Sequence, residues 1–371
     1  MFISKAIMII LALFFVIGLA DRLLGNRFGF GAEIERGFSL MGIMGLTAVG
    51  LLCLAPVVAK VLRPVIAPLF SIIGADPAML PGALFGPDIS TPIAIEMADN
   101  SKWSLFSGLI VGSVMGNAVS FAIPVATGII SKGNRKYLTI GVLCGFILDP
   151  VACFAGGLLM GLEPLGILIN LIPMIVVAII IIAGLLRFPN GTMKAFQIFA
   201  KLLMTVISIG LAAAAVESMT GFTVIRGMNP ISDAFKTVGT ITLSIGGSLP
   251  LLLALRRLLK KPLGRLEKLL KINGTAVLDM ILAFSTVVAG YSDFDKMDPR
   301  GRATFAAFTA SASNAFGVCL GMASAYDKSV VMPMLVSKML AGVMAMFVLS
   351  FFYPRLAGDE RSAADEIGQI E

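Results

Sequence analysis

Residues 77–98 read PAMLPGALFGPDISTPIAIEMA, an apolar stretch long enough to cross a lipid bilayer. Three prolines interrupt its interior, and Asp88 lies between two of them. A proline inside a helix removes a hydrogen bond and clashes with the carbonyl four residues earlier, so Pro92 predicts a break at 88–91. Freed carbonyls and a carboxylate at that depth are tolerated only beside protein or a water-filled cavity. The stretch therefore predicts a broken transmembrane helix.

The whole chain has the composition of a membrane protein. Of its 371 residues, 57% are hydrophobic and 14% are charged, against about 25% charged in an ordinary soluble domain. Its mean hydropathy of +0.95 excludes a soluble enzyme or nucleic-acid-binding protein, because a soluble fold has no room to bury so much apolar surface. The chain has no histidine, and its four cysteines lie in apolar runs without CxxC spacing. We expect no enzymatic activity, no cofactor and no metal site.

Apolar runs predict an all-α polytopic membrane protein with about eleven transmembrane helices. The predicted spans are 3–20, 38–58, 77–98, 103–130, 138–161, 166–186, 196–216, 235–255, 275–292, 303–325 and 330–353. Residues 60–75 and 256–272 mix basic and aliphatic side chains, which predicts interfacial amphipathic helices. The acidic tail, 356–371, is poor in apolar residues and is predicted to be disordered.

Basic residues predict the orientation. With the N-terminus in the cytoplasm and the C-terminus outside, the basic segments 60–63, 132–136, 187–194 and 256–271 all face the cytoplasm. The first apolar run is not followed by a cleavage site and a soluble chain, so we expect a retained span and not a signal peptide.

The two halves of the chain correspond at an offset of about 195 residues. The matching pairs include Pro56 with Pro250, Ser90-Thr91 with Ser285-Thr286, and Asn117 with Asn314. This predicts two five-helix repeats, 1–165 and 191–355, joined by a connector helix at 166–190. Each repeat has an interfacial helix and a broken span. Six spans separate equivalent points, which predicts parallel repeats; the repeats are inverted if 66–98 and its counterpart each enter and leave on one side.

Internal repeats of this kind are typical of transporters, whose site lies at the repeat interface. The residues predicted to bind substrate are Asp88, Ser90, Thr91, Asn117, Ser285, Thr286 and Asn314. One carboxylate with hydroxyls and freed carbonyls would suit a small cation. Structural alternatives stay open: Asp88 as a helix cap, hydroxyls bonded within their own helix, and asparagines joining helices.

Two further carboxylates inside apolar runs are candidates for an ion or proton relay. Asp149 precedes a proline in mid-span, and Asp279 lies near the start of its span. Asp149 could instead pair with a lysine, for which Lys338 is a candidate, and Asp279 could instead reach the interface.

Four runs resemble the ethanolamine permease (EutH-type) family, and the resemblance continues in register from about residue 1 to 355. They are MGIMGLTAVGLLCLAPVVAKVLRPVIAPLFSIIGADPAM (41–79), RKYLTIGVLCG (135–145), FQIFAKLLMTVISIGLAAA (196–214) and KMDPRGR (296–302). The resemblance implies an inner-membrane transporter that imports ethanolamine. Asp88 matches an aspartate that the family carries in its broken span. This chain has Thr286-Val287 where members carry paired asparagines, and Gly317-Val318-Cys319 where they carry Gly-Asp-His.

Three functions are therefore compared. The first is import of ethanolamine or a related amino alcohol by alternating access, with Asp88 binding the ammonium group and Ser90, Thr91 or Asn117 binding the hydroxyl. The second is transport of a different small polar metabolite, which would explain the positions at which the chain differs from the family. The third is a scaffold or receptor without flux, which has no need of intramembrane carboxylates. The expected partners are a small-molecule substrate and the lipid bilayer, with no nucleic acid and with homo-oligomerisation left open.

Overall fold

The computed structural model describes residues 2–258 and 260–368 and confirms the all-α class. Within that part of the chain, all regular structure is helical. Seven helices are long and apolar enough to cross a membrane, or eight if one helix pair with a 43° bend, Ser101–Gly116 and Ala118–Ile129, is counted as one span. The protein is thus a multi-pass membrane protein, while the predicted number of eleven spans is not confirmed.

The first half begins with three long helices and then breaks into short ones. Its helices are α1 (Phe2–Leu23), α2 (Phe30–Thr47), α3 (Val49–Ile73), α4 (Met79–Leu84), α5 (Pro87–Met97), α6 (Ser101–Leu105), α7 (Ile123–Ile129), α8 (Arg135–Leu159) and α9 (Pro164–Arg187). Two π-helical segments, Phe106–Gly116 and Ala118–Ala122, connect α6 to α7. The predicted interfacial helix 60–75 is the continuation of α3, and the predicted connector corresponds to α9.

The second half begins with two long helices, continues with short ones and ends on a long helix. It contains α10 (Pro189–Thr220), α11 (Ile231–Leu258), α12 (Lys260–Leu270), α13 (Gly274–Ala283), α14 (Val288–Ser292), α15 (Pro299–Ala312), α16 (Val318–Tyr326) and α17 (Val331–Gly368). The amphipathic segment predicted at 256–272 contains the separate helix α12. Most of the tail predicted to be disordered falls on α17, whose backbone is helical to Gly368; residues 369–371 lie outside the described part.

Helices α4 and α5 form a hairpin instead of a crossing helix. The Asp76 carboxylate, before α4, accepts hydrogen bonds from the backbone N–H groups of Asp99 (3.1 Å) and Asn100 (3.3 Å), after α5. Both ends of the predicted span 77–98 therefore meet on one side of the bundle. The hairpin turns at Phe85, which is extended, and Gly86, so the break precedes the predicted 88–91.

The turn lies earlier than predicted because Pro87 begins α5. A proline at the first helical position lacks an N–H that would be unpaired in any case, whereas Pro92 is accommodated inside α5. Asp88 consequently lies in the first turn of α5, one position beyond Pro87, and Gly86 is the cap.

Helices α13 and α14 form a second hairpin. The N–H of Asn273, before α13, donates to Asp298 Oδ1 (2.8 Å), and its side-chain Nδ2 donates to the carbonyl of Lys296 (3.0 Å). Residues 296–298 follow α14, so the predicted span 275–292 also turns back to the side from which it came. A hydropathy window does not distinguish a crossing helix from a hairpin of the same length.

The contacts between helix ends define two ends of the bundle. At the Ser4 end, Ser4 Oγ donates to the carbonyl of Ser329. At the Arg257 end, the Arg257 guanidinium donates to the carbonyl of Phe28, beyond the far end of α1. The basic segment 256–271 therefore begins at the end opposite the N-terminus.

A second basic segment joins the Arg257 end. Ser131 and Asn134 both donate to Asp295 Oδ1, which lies beside the base of the second hairpin. These two segments lie at the end opposite Ser4, which does not fit the prediction that they share a side with the N-terminus. The first hairpin does not cross the bundle, so the helices between the two hairpins run opposite to their predicted direction.

Candidate substrate-binding cavity

A cavity of about 390 Å³ lies where the two hairpin turns and the interrupted helices meet. We call it the central cavity. Five of the seven predicted binding residues line it: Asp88, Asn117, Ser285, Thr286 and Asn314. Apolar side chains of α2 and α10, among them Met44 and Ile207, line much of the rest. The cavity brings the two halves of the chain together around one carboxylate.

Asp88 is positioned by the turn of the first hairpin. The N–H of Gly86 donates to Ser120 Oγ (2.9 Å), and Ser120 Oγ donates to the carbonyl of Gly116 (3.0 Å). A Cβ on Gly116 would lie 2.0 Å from the carbonyl oxygen of Phe85, so only glycine allows this approach. The positive end of the α5 dipole favours an ionised carboxylate at Asp88.

Asn117 and Asn314, which correspond in the two halves, contact each other. Asn314 Nδ2 donates to Asn117 Oδ1 at 3.5 Å, and Asn117 Nδ2 donates to Ser313 Oγ at 3.0 Å. Both asparagines are 5% exposed. Asn314 has a φ of 58°, a left-handed conformation that asparagine adopts more readily than most residues. Its N–H donates to the carbonyl of Ala283 (2.8 Å), which ties α15 to the second hairpin.

The π-helical segments on either side of Asn117 were not predicted from the sequence. π-Helix is rare and usually limited to a single turn, often at a functional site, whereas Phe106–Gly116 has eleven residues. Glycines at 108, 112 and 116 were available as a signal, because all three pack against the first hairpin.

Ser90 and Thr91 do not line the central cavity. Both are fully buried against the π-helix. Ser90 Oγ donates to the carbonyls of Gly86 (2.9 Å) and Gly108 (3.1 Å). A Cβ on Gly108 would lie 2.5 Å from the Cα of Thr91, so only glycine at 108 allows the first hairpin and the π-helix to pack this closely. The structural interpretation fits the Ser90 hydroxyl, whereas Thr91 Oγ1 is buried without a hydrogen-bond partner among the described residues.

Ser285 and Thr286 border a second cavity, of about 200 Å³, on their other side. We call it the Glu33 cavity, after the residue that lines it together with Arg36 and Arg256. The Glu33 carboxylate lies 3.8 Å from the Arg36 guanidinium. No sequence pattern marks these three residues as one site, because their proximity arises from packing between α2 and the end of α11.

Asp149 and Asp279 lie outside both cavities. Asp149 is 0% exposed and accepts a hydrogen bond from Ser311 Oγ at 2.6 Å. Asp279 is 2% exposed, and its Oδ2 has no hydrogen-bond partner among the described residues. Within the part of the chain that the structure describes, no three His, Cys, Asp or Glu side chains lie close enough together to hold a metal ion.

Two of the four positions at which the chain departs from the resembled family line the central cavity: Thr286 and Val318. Cys319 is fully buried. The departures therefore concentrate at the wall of the cavity and immediately behind it.

Comparison with known proteins gives one consistent family. A family model described as "Ethanolamine utilisation protein, EutH" matches residues 3–352. The chain is 39% identical to the "Probable ethanolamine permease EutH" of Listeria monocytogenes over 94% of each chain, and 38% identical to the protein of that name in Salmonella typhimurium over 95% and 96%. It is also 34% identical to the "Uncharacterized protein YxeR" of Bacillus subtilis over 95% and 96%. No solved structure matches the chain.

Proposed function

The chain belongs to the EutH family of ethanolamine utilisation proteins, and on that premise we propose that it imports ethanolamine in its protonated form. The single observation that carries the proposal is the Asp88 carboxylate in the wall of a largely apolar cavity inside a multi-pass membrane protein. Ethanolamine has an amine that is protonated at pH 7, as lysine is. A carboxylate in a water-poor site replaces the hydration that such a cation loses.

The remaining polar groups of the central cavity suit the hydroxyl of the substrate. Asn117 and Asn314 present amide donors and acceptors, and Ser285 and Thr286 present hydroxyls. Ser90 and Thr91 have no part in this proposal, because both pack away from the cavity.

We infer a repeat architecture that differs from the parallel arrangement predicted from the sequence. Each half contributes four spans and one hairpin, α9 connects them, and α15 with α16 forms a broken span. Because the first hairpin returns to its own side, five spans come before α10, so α1 and α10 run in opposite directions and the repeats are inverted. Carriers with inverted repeats bind substrate at the repeat interface and alternate access by moving one repeat against the other.

The two cavities support a path through this interface. Ser285 and Thr286, in the turn of the second hairpin, separate the central cavity from the Glu33 cavity at the Arg257 end. A movement of this turn would connect them. In this proposal the turn of the second hairpin acts as the gate between the two cavities.

We propose that the Arg257 end faces the cytoplasm. The segments around 132–136, 256–271 and 296–302 are basic and lie at that end, and basic residues concentrate in cytoplasmic loops. The N-terminus is then outside, and Tyr353, near Arg300, brings the end of the last span to the cytoplasmic side. A reporter active only in the cytoplasm, fused to the C-terminus, would be active; activity only of a periplasmic reporter would reverse the assignment.

Uptake of labelled ethanolamine into proteoliposomes tests the function at mildly acidic pH, where little neutral amine crosses the lipid. We expect saturable uptake by the wild type, loss of uptake in Asp88→Asn, and normal uptake in Glu96→Gln, which removes an exposed carboxylate from the same helix. No uptake above empty liposomes by folded wild type would refute ethanolamine as substrate. Saturable uptake unchanged in Asp88→Asn would refute the ammonium site and favour a different binding mode.

A further inference from the structure

A buried charge cluster lies beside the central cavity without contributing to its wall. It consists of Asp149 of α8, Lys338 of α17, Ser311 of α15 and Ser113 of the π-helix. Asp149 and Lys338 are both 0% exposed. Ser311 Oγ donates to Asp149 Oδ1 at 2.6 Å, and the Lys338 ammonium donates to the carbonyl of Ser113.

One oxygen of Asp149 is unpaired. Its Oδ2 is buried and has no hydrogen-bond partner among the described residues. An ionised carboxylate with an oxygen left in this state bears a full desolvation penalty, whereas a proton on that oxygen removes the charge. Lys338 favours the ionised form electrostatically. Two opposing influences on one buried carboxylate are typical of a group that exchanges a proton.

We propose that Asp149 is a proton-binding site whose occupancy is coupled to the cation in the central cavity. The coupling rests on the proposed function, but the proton site itself does not. When the substrate cation enters, the Asp149 carboxylic acid becomes a carboxylate and its proton is released to water. One positive charge replaces another, and no bond in the substrate changes.

The cluster is connected to the cavity through the helices that carry the asparagine pair. Ser311 precedes Ser313, which accepts a hydrogen bond from Asn117. Ser113 lies one turn before Asn117 on the π-helix. Any shift of these two segments between outward-facing and inward-facing states would change the hydrogen bonds of Asp149 and Lys338.

The charges near the cluster favour proton release upon cation binding. Lys338 of α17 and Ser311 of α15 act on Asp149 directly. Cys153 of α8 lies within electrostatic reach of Asp149, and Cys319 of α16 lies within electrostatic reach of Lys338 and of Asp88 of α5. A cation that neutralises Asp88 makes this region more positive, and a more positive field favours loss of a proton from Asp149.

Infrared difference spectroscopy of the purified protein tests the proton site without substrate. Asp21→Asn is the control, because the Asp21 carboxylate lies beyond the cluster, at the end of α1, and accepts from the backbone N–H groups of Phe28 and Phe30. Between about pH 5 and pH 9 we expect the carbonyl band of a protonated carboxylic acid to disappear in wild type and in this control, and to be missing in Asp149→Asn. Ser311→Ala, which removes only one hydrogen bond, should shift the band. A titrating band that is unchanged in both Asp149→Asn and Ser311→Ala, or no band in wild type, would overturn the proposal.

Proton release upon binding tests the coupling. In weakly buffered detergent solution, ethanolamine at a pH where it is fully protonated should release up to about one proton for each molecule bound. Asp149→Asn should bind ethanolamine without release. Equal release by both proteins, or binding by wild type without release, would overturn the coupling. Failure of wild type to bind ethanolamine would refute the proposed substrate and the coupling while leaving the infrared test of the proton site valid.

Discussion

Replacing Asn314 by glycine and by alanine separates the two roles of this residue. Its side-chain amide contacts Asn117, and its backbone has a φ of 58°. Both variants lose the amide, but only glycine adopts the left-handed conformation without strain. The pair therefore measures the amide and the backbone independently.

The expected magnitudes follow from this geometry. Loss of the amide removes a partner of the buried Asn117 Oδ1 in either variant, which costs about 1–3 kcal/mol. Alanine additionally bears about 1–2 kcal/mol of left-handed strain. The unfolded chain of the glycine variant is more flexible, which lowers the unfolding free energy of that variant by about 0.4–1 kcal/mol and offsets part of the difference. We expect Asn314→Ala to be less stable than Asn314→Gly by about 1 kcal/mol.

Equilibrium unfolding in mixed detergent micelles measures the stability, and binding of labelled ethanolamine measures the site. If the amide contributes to binding, both variants weaken ethanolamine affinity to the same extent, since both lack it. An alanine variant as stable as the glycine variant would refute the strain argument. Affinities that differ strongly between the two variants would refute the role of the amide, since backbone position would then dominate.

Three further substitutions test the hairpins. Gly116→Ala inserts a methyl group 2.0 Å from the Phe85 carbonyl oxygen, and we expect it to lower the unfolding free energy by about 1–3 kcal/mol. Gly42→Ala, at a glycine with no neighbour within 4 Å, should change the unfolding free energy little. Equal effects of the two substitutions would contradict the close approach at Gly116. The Asp76 carboxylate accepts hydrogen bonds from the N–H groups of Ala78, Asp99 and Asn100, whereas Asp76→Asn leaves a single acceptor oxygen. We expect this substitution to lower the unfolding free energy by about 1–3 kcal/mol and to speed proteolysis near the base of the first hairpin. An unchanged proteolysis rate would disprove that the carboxylate joins the two ends of the hairpin. Thr286→Cys should react with a thiol reagent added from the cytoplasmic side at a rate that differs between the transport states with and without substrate. The four buried native cysteines give the background reaction. A rate independent of substrate would argue against a gate at this turn.

Several central features could be predicted from the sequence. Asp88, Asn117 and Asn314 are polar residues inside apolar runs, and such residues are costly unless they pair or line a cavity. The offset between the halves paired Asn117 with Asn314, and the fold brings the two side chains into contact. Hydropathy alone established a multi-pass, all-helical membrane protein.

Other features depend on contacts that a local pattern does not contain. Ser90 and Thr91 stand beside Asp88 in the chain, yet a helical turn directs them toward Gly108 and away from the cavity. Glu33 and Arg256 come from distant parts of the chain and share a cavity only after α2 and α11 pack.

The sequence by itself determined the environment of the chain and its polar positions, because apolar runs must be buried in lipid or protein and their few polar residues must find partners. Only the tertiary structure decided which runs cross and which turn back. A crossing helix and a hairpin of the same length bury similar apolar surface, so hydropathy does not separate them. The Asp76 and Asn273 hydrogen bonds that join the ends of each hairpin do separate them, and the proposed inversion of the repeats and the proposed orientation of the N-terminus both rest on these hairpins.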